Sequence, residues 1–222
     1  MLLEELYLSK LDVITKLKEA ILDGNKELCE EIIDEALLSG IEPMAILNTC
    51  IEGINIVGEK FGKGEIFLTE LMLSADAMKA AVEKLKPKFT AEELIKTRLG
   101  KVVIGTVKGD IHDIGKNIVI TMLTAAGFEV FDIGIDVPPV TFIEKAKEVN
   151  ADIIGASALL TSTKPYMEDI ALLLKDMDLR SKFKYIVGGA PVTQDYAEKI
   201  GADGYAKDAQ EAVRVVKELI KK

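Results

Sequence analysis

Tryptophan is absent from this chain, histidine occurs once, and aromatic residues make up only 5% of its 222 positions. So few rings leave no platform on which nucleic-acid bases could stack. A surplus of positive charge is missing too. Lys and Arg number 28 against 37 Asp and Glu, and the net charge of −9 opposes binding to a phosphate backbone, so no nucleic-acid partner is expected. No apolar stretch approaches the roughly 18–20 residues of a membrane span, and no signal-peptide pattern opens the chain; a cytoplasmic protein with no membrane partner is expected. The two cysteines, Cys29 and Cys50, fall in helical patterns and form no CxxC site, so they read as buried thiols. What is present, 49% hydrophobic and 29% charged residues, is the composition of a folded chain able to bury a sizeable core.

The hydrophobic period changes along the chain. Residues 1–86 carry helical spacing only: Tyr7, Leu11, Ile14, Leu17 and Ile21, then Leu28, Ile32, Ile33, Ala36 and Leu37. Pro43 opens a third helix with Leu47, Ile51, Ile54, Val57 and Phe61 inward; Leu68, Leu71, Ala75, Met78, Val82 and Leu85 mark a fourth. Four such helices with short connections predict an antiparallel bundle. Residues 87–100 read as a linker, in which Ala91–Leu99 adds a helical turn or two. From residue 101 to 222, short β-branched runs (Val102–Val107, Phe128–Ile133, Asp152–Ala156, Lys184–Val187, Gly204–Ala206) alternate with helical patterns. That alternation predicts a five-stranded parallel sheet covered by helices, a doubly wound Rossmann-like or flavodoxin-like domain.

The single histidine lies directly after the first of these strands, within Gly109-Asp110-Ile111-His112-Asp113-Ile114-Gly115-Lys116-Asn117. In open α/β sheets, ligands bind at the carboxyl edge of the strands, where this loop falls. Imidazole is the commonest metal ligand among side chains, and a carboxylate two residues away can fix its tautomer. Common occupants of such an edge are excluded. The loop lacks the G-x-G-x-x-G dinucleotide fingerprint. It also lacks the P-loop spacing, and Asn117 stands where a magnesium-binding hydroxyl would be. The third strand ends in Ser157 rather than a phosphoacceptor aspartate, and the chain has too few Cys and His for zinc. Two other edge loops carry small residues, Gly155-Ala156-Ser157-Ala158-Leu159 and Gly188-Gly189-Ala190-Pro191, where backbone can approach a bulky ligand closely. Three such loops, one with an imidazole flanked by acids, favour a large metal-bearing ligand.

The series Asp110-x-His112-x-x-Gly115, Ser157-x-Leu159 and Gly188-Gly189 resembles the signature of cobalamin-binding domains, including the cobalamin module of methionine synthase. The preceding helical bundle resembles the cap found in methyl-carrying members and absent from mutase modules, so the resemblance spans essentially the whole chain. It implies cobalamin bound with its own base displaced and His112 on cobalt, Asp110 accepting the other ring N–H, and Thr163 at the position where methionine synthase has a relay serine. It further implies that Gly109, Ile111, Asp113 and Ile114 flank the cofactor and that Ser157, Leu159 and Thr161 contact its nucleotide tail. Gly188 and Gly189 would leave room for that tail, with Ala209 against the cofactor. Asp113 and Lys116 read as residues that cap or solvate the following helix, and Phe67, Leu71, Met72 and Ala75 as candidates to shield the upper face.

The size and layout resemble the small corrinoid proteins of methyltransferase systems in methanogens and acetogens. The resemblance therefore implies a methyl carrier in one-carbon metabolism, not an enzyme, of methylamine type, with methanol and aryl-ether O-demethylase systems as alternatives. Its partners would be a substrate-specific methyltransferase, a second methyltransferase that accepts the methyl group and a reductive activation protein. With no barrel-sized domain in the chain, these are expected to be separate polypeptides, and the linker is expected to act as a hinge. A B12-binding sensor is the competing reading, although such sensors add a DNA-binding region. A fragment of a larger methionine synthase is a third, opposed by a bundle that starts at Met1.

Overall fold

Four helices fill the N-terminal part: α1 (Leu2–Leu22), α2 (Lys26–Leu38), α3 (Pro43–Gly62) and α4 (Leu68–Leu85). The computed structural model describes residues 2–90 and 99–221, with side chains from residue 10 onward. The turns expected over residues 91–98, and with them most of the expected hinge, lie outside the described residues. The chain separates into two units, one built on residues 1–97 and the other on residues 98–222 apart from 124–127.

Local chemistry sets the helix starts. The Asn25 side chain accepts from Leu28 N at 3.0 Å, Pro43 occupies the first turn of α3, and Glu70 turns back to accept from Phe67 N at 2.8 Å at the start of α4. Helices α1 and α4 each pack on both α2 and α3 and lie diagonally opposite one another. The buried face is not quite the one the large apolar residues trace. Leu11, Leu28 and Val82 are exposed, and Val13, Ala20, Cys29, Ala77 and Ala81 take the interior instead. Small residues let neighbouring helices approach closely, so they hold the seam while bulkier neighbours are rotated out. Cys29 and Cys50 are both buried free thiols.

The second unit alternates β1 (Lys101–Thr106), α5 (Ile114–Ala125), β2 (Glu129–Asp132), α6 (Pro139–Val149), β3 (Ile153–Ser157), α7 (Pro165–Asp176), β4 (Lys184–Gly188), α8 (Gln194–Ile200), β5 (Gly204–Ala206) and α9 (Ala209–Ile220). All five strands are parallel, in the order β2-β1-β3-β4-β5. The central strands are buried along most of their length, as expected of a sheet covered on both faces. Phe142, Phe183 and Tyr185 are the largest enclosed side chains, and the Tyr185 hydroxyl donates to Met167 O at 3.0 Å.

Chain direction across the sheet reverses between β1 and β3, which opens a crevice at the carboxyl ends of those two strands. The register keeps the strand ends level: Thr106 is opposite Ser157, Ser157 opposite Gly188, and Gly188 opposite Ala206. The loops after β1, β3, β4 and β5 therefore leave the sheet at one height and line one edge.

Candidate functional site

Asp110 organises that edge. It is fully buried, and five donors converge on its carboxylate. Oδ1 accepts from His112 N at 3.1 Å and from His112 Nδ1 at 2.7 Å. Oδ2 accepts from Leu159 N at 2.8 Å, Leu160 N at 3.1 Å and the Thr163 hydroxyl at 2.8 Å. Burial by itself would raise this carboxyl's pKa. The donors from His112, Leu159 and Thr163 more than offset that and hold it well below the usual carboxylate range. Asp110 is thus a buried anion whose solvation is supplied by the loops after β1 and β3, and it ties those loops together across the crevice.

The consequence for His112 follows from hydrogen-bond roles. An ionised carboxylate only accepts, so Nδ1 carries a proton, and in the neutral ring the lone pair lies on Nε2. The His112 side chain is 46% exposed while its partner is enclosed. Its backbone is anchored: Thr106 Oγ1 donates to His112 O at 3.0 Å, and His112 N is held by Asp110. The result is a fixed main chain bearing an accessible ring with a single available lone pair.

The surroundings fit a large, flat, partly apolar metal complex. Ile111 and Ile114 on either side of His112 are 69% and 77% exposed, and Leu159 and Leu160 on the facing loop are exposed as well. Large apolar side chains left in water beside an accessible imidazole form a surface that gains by being covered. Gly115 adds a second indication. It sits in the first turn of α5, and a Cβ there would meet nothing within 4 Å. Among the described residues nothing calls for glycine at this position; the missing side chain leaves space on the outside. A neutral imidazole donor, an apolar rim and this space suit a corrin ring with cobalt at its centre.

Other expected residues are placed as follows. Ser157 and Gly188 face one another across the β3–β4 ladder. The Thr161 side chain is exposed and joined to none of these residues by a hydrogen bond, and Ala209 is the first residue of α9. Asp113 accepts from Asn117 Nδ2 at 3.1 Å, bracing the first turn of α5. A Cβ at Gly188 would come within 2.8 Å of Ala206 O, and one at Gly189, where φ is +118°, would run into the Ala158 carbonyl oxygen, so both glycines admit neighbouring loops to one another. One expectation is corrected: Lys116 is not solvated. Its side chain is 1% exposed, and its ammonium donates to Asp132 Oδ1 at 2.7 Å and Asn117 Oδ1 at 3.0 Å, pinning α5 to the end of β2. In the helical unit, Leu71 and Ala75 are buried, whereas Phe67 and Met72 are exposed at 81% and 51%.

Asp136 was not singled out by the sequence. It lies between β2 and α6 with φ of +53°, accepts from Gly109 N at 2.6 Å and donates its own N–H to Asp110 O at 2.9 Å. The only available signal was an acid following Gly134-Ile135 and preceding Val137-Pro138, a pattern that marks a turn but not its partner.

Comparison with known proteins agrees with this chemistry. A family model described as a B12 binding domain matches residues 100–214, and a second of the same description matches residues 13–86. The trimethylamine corrinoid protein of Methanosarcina barkeri is 46% identical over 210 residues, covering 94% of this chain and 97% of that protein. The dimethylamine corrinoid protein of the same organism is 49% identical over 214 residues, covering 96% of this chain and all of that protein. Among solved structures, the methanol:cobalamin methyltransferase complex MtaBC from Methanosarcina barkeri contains a chain that superposes with a TM-score of 0.83 at 29% identity. The match covers 95% of this chain and 80% of that one.

Proposed function

Because the chain belongs to the B12-binding corrinoid proteins, we propose that it is a methyl carrier of methylamine type, working in the cytoplasm between separate methyltransferases. Its likeness to trimethylamine and dimethylamine corrinoid proteins supports methylamines as the class of methyl donor. A substrate-specific methyltransferase would load the methyl group, a second would remove it, and a reductive activation protein would restore the carrier after oxidation. Likeness to a chain of the methanol:cobalamin methyltransferase complex supports a methyltransferase as partner.

The observation that carries this reading is the pairing of a fully buried Asp110 with an accessible His112, joined through Nδ1 at 2.7 Å. When bound, cobalamin supplies a cobalt able to accept and release a methyl group. The chain's part is to hold and orient. His112 Nε2 would be the axial donor in place of the cofactor's own base. Asp110 would keep the ring proton on Nδ1 and make the imidazole a stronger donor. Ile111, Ile114 and Leu159 would cover the apolar flank of the macrocycle and exclude water from it, and Gly115 would let it approach α5. Thr163 would hold Asp110 in place from the far loop. Likeness to corrinoid proteins supports this chain as the carrier and its partners as the catalysts.

Protein loaded with cobalamin and labelled with nitrogen-15 histidine tests both claims. The cobalt(II) EPR spectrum is expected to show hyperfine splitting from the labelled ring, and His112→Ala should keep the fold but lose that splitting. Demethylation of a methylamine should need an added methyltransferase. Splitting that persists in the alanine variant would remove His112 as ligand, and turnover by the reduced protein alone would make the chain an enzyme.

A further inference from the structure

We propose that Asp136 is a positioning residue for the histidine loop: from the β2–α6 connection it fixes the backbone at Gly109 and Asp110, and through them the direction of the His112 ring. The proposal rests on reading His112 as the axial donor. Two hydrogen bonds carry the inference. Asp136 Oδ1 accepts from Gly109 N at 2.6 Å, a short charge-assisted contact, and Asp136 N donates to Asp110 O at 2.9 Å. The second partner is the residue whose carboxylate holds the imidazole.

The backbone geometry explains why a clasp is needed. Gly109 has φ of +77°, so the strand-to-loop turn passes through a residue with no side chain to restrict it. Left alone, the peptide before Gly109 could rotate and carry Asp110 with it. Asp136 opposes this at some cost to itself, since its own φ of +53° is a left-handed conformation that L-residues with a Cβ adopt reluctantly. Glycine at position 136 would relieve that strain but would remove the acceptor for Gly109 N. The loop is also tied by Thr106 N to Gly134 O at 3.0 Å and by Val137 N to Thr106 O at 3.0 Å, so the β2–α6 connection already lies against it. The Asp136 carboxylate is the one side chain of that connection that reaches the Gly109 amide.

The test compares wild type, Asp136→Gly and Asp136→Asn. Because the chain has one histidine, its ring nitrogens can be read directly by NMR in the protein without cobalamin. In Asp136→Gly, loss of a hydrogen bond to a charged group should speed exchange of the Gly109 amide by about tenfold or more, with exchange in the sheet core unchanged. The His112 Nδ1–H signal should broaden or vanish, and the urea midpoint should stay at the wild-type value. Asparagine keeps an oxygen acceptor and tolerates a left-handed φ, so it should restore the Nδ1–H signal. In cobalamin-loaded protein, the share of cobalt showing histidine splitting should fall in Asp136→Gly and recover in Asp136→Asn. Wild-type Gly109 protection together with a wild-type ring spectrum in Asp136→Gly would overturn the proposal. So would a general loss of stability that asparagine does not rescue. If wild type itself showed no histidine splitting, the axial-donor reading would fall, while the measurements without cobalamin would still decide the role of Asp136.

Discussion

Replacing Asp110 by asparagine asks whether the carboxylate sets the state of the histidine or merely fills space. The side chain keeps its size, but only one of its two terminal atoms can still accept. On the Oδ2 side three donors converge, the amides of Leu159 and Leu160 and the Thr163 hydroxyl; on the Oδ1 side there are two, the amide and Nδ1 of His112. The amide oxygen should take the side with three donors and turn its NH2 toward His112. The His112 amide then faces a donor and loses its bond. Its ring must accept instead, which moves the ring proton from Nδ1 to Nε2. Bonds to a charged acceptor are worth about 1.5–3 kcal/mol and neutral ones about 0.5–1.5, so one loss and four weakened bonds amount to roughly 6 kcal/mol gross. Removing a buried charge returns part of this, leaving a net destabilisation of about 3 kcal/mol, small enough for the domain to fold. Nitrogen-15 shifts of the sole imidazole, recorded in mildly alkaline buffer, should show the protonated nitrogen exchanged relative to wild type. The variant should also lose histidine splitting in cobalt(II) EPR, because Nε2–H has no lone pair to give. A ring that keeps its proton on Nδ1 in Asp110→Asn would refute the claim that this carboxylate fixes the tautomer.

Thr163→Val should destabilise the α/β unit by about 1.5–3 kcal/mol, since a hydrogen bond to a buried charge is lost with no water to replace it, whereas Thr163→Ser should cost less than about 1 kcal/mol. Urea unfolding followed by near-ultraviolet dichroism reports on this unit selectively, because four of the five tyrosines (Tyr166, Tyr185, Tyr196 and Tyr205) lie within it; equal midpoints for valine and serine would contradict the assigned bond. Gly189→Ala should destabilise the same unit by on the order of 3 kcal/mol, read as a lower midpoint, because the new methyl would run into the Ala158 carbonyl at a φ of +118°. A wild-type midpoint in that variant would contradict the close approach of the edge loops at Gly189.

The features legible in the sequence are those that chain neighbours decide. The alternation of β-branched runs with helical patterns is local, and the five strands lie within one residue of their expected bounds. The same holds for the placement of His112 on a strand-to-helix loop. The features that were not legible depend on partners far along the chain. Lys116 looks like any first-turn lysine until β2 brings Asp132 to it across 16 positions, and only then does an enclosed ammonium make physical sense. Asp136 is 27 positions from the amide it holds. The paired glycines at 188 and 189 signal a close approach, but the pattern cannot say whether ligand or backbone approaches. Here strand register brings Ala206 and Ala158 to them. In the bundle, the interior passes through alanine and cysteine, which a search for large apolar residues weights too little, so Leu11, Leu28 and Val82 were assigned to the wrong face.

A single histidine on a protein surface is ordinarily mobile, and its two ring tautomers interchange. His112 differs because the reversal of strand order between β1 and β3 places two loops side by side, and one buried carboxylate takes its donors from both. Neither loop alone could satisfy that charge: the β1 loop supplies only the two donors of His112, and the other three come from Leu159, Leu160 and Thr163. The stability of the enclosed anion and the orientation of the ring are therefore one property, set by folding before any ligand arrives. A donor atom held in this way needs little further ordering on binding, so more of the bond it forms appears as affinity. This coupling also explains why a residue as distant in sequence as Thr163 should affect the ring: changing it alters the carboxylate's solvation, and the ring proton follows the carboxylate.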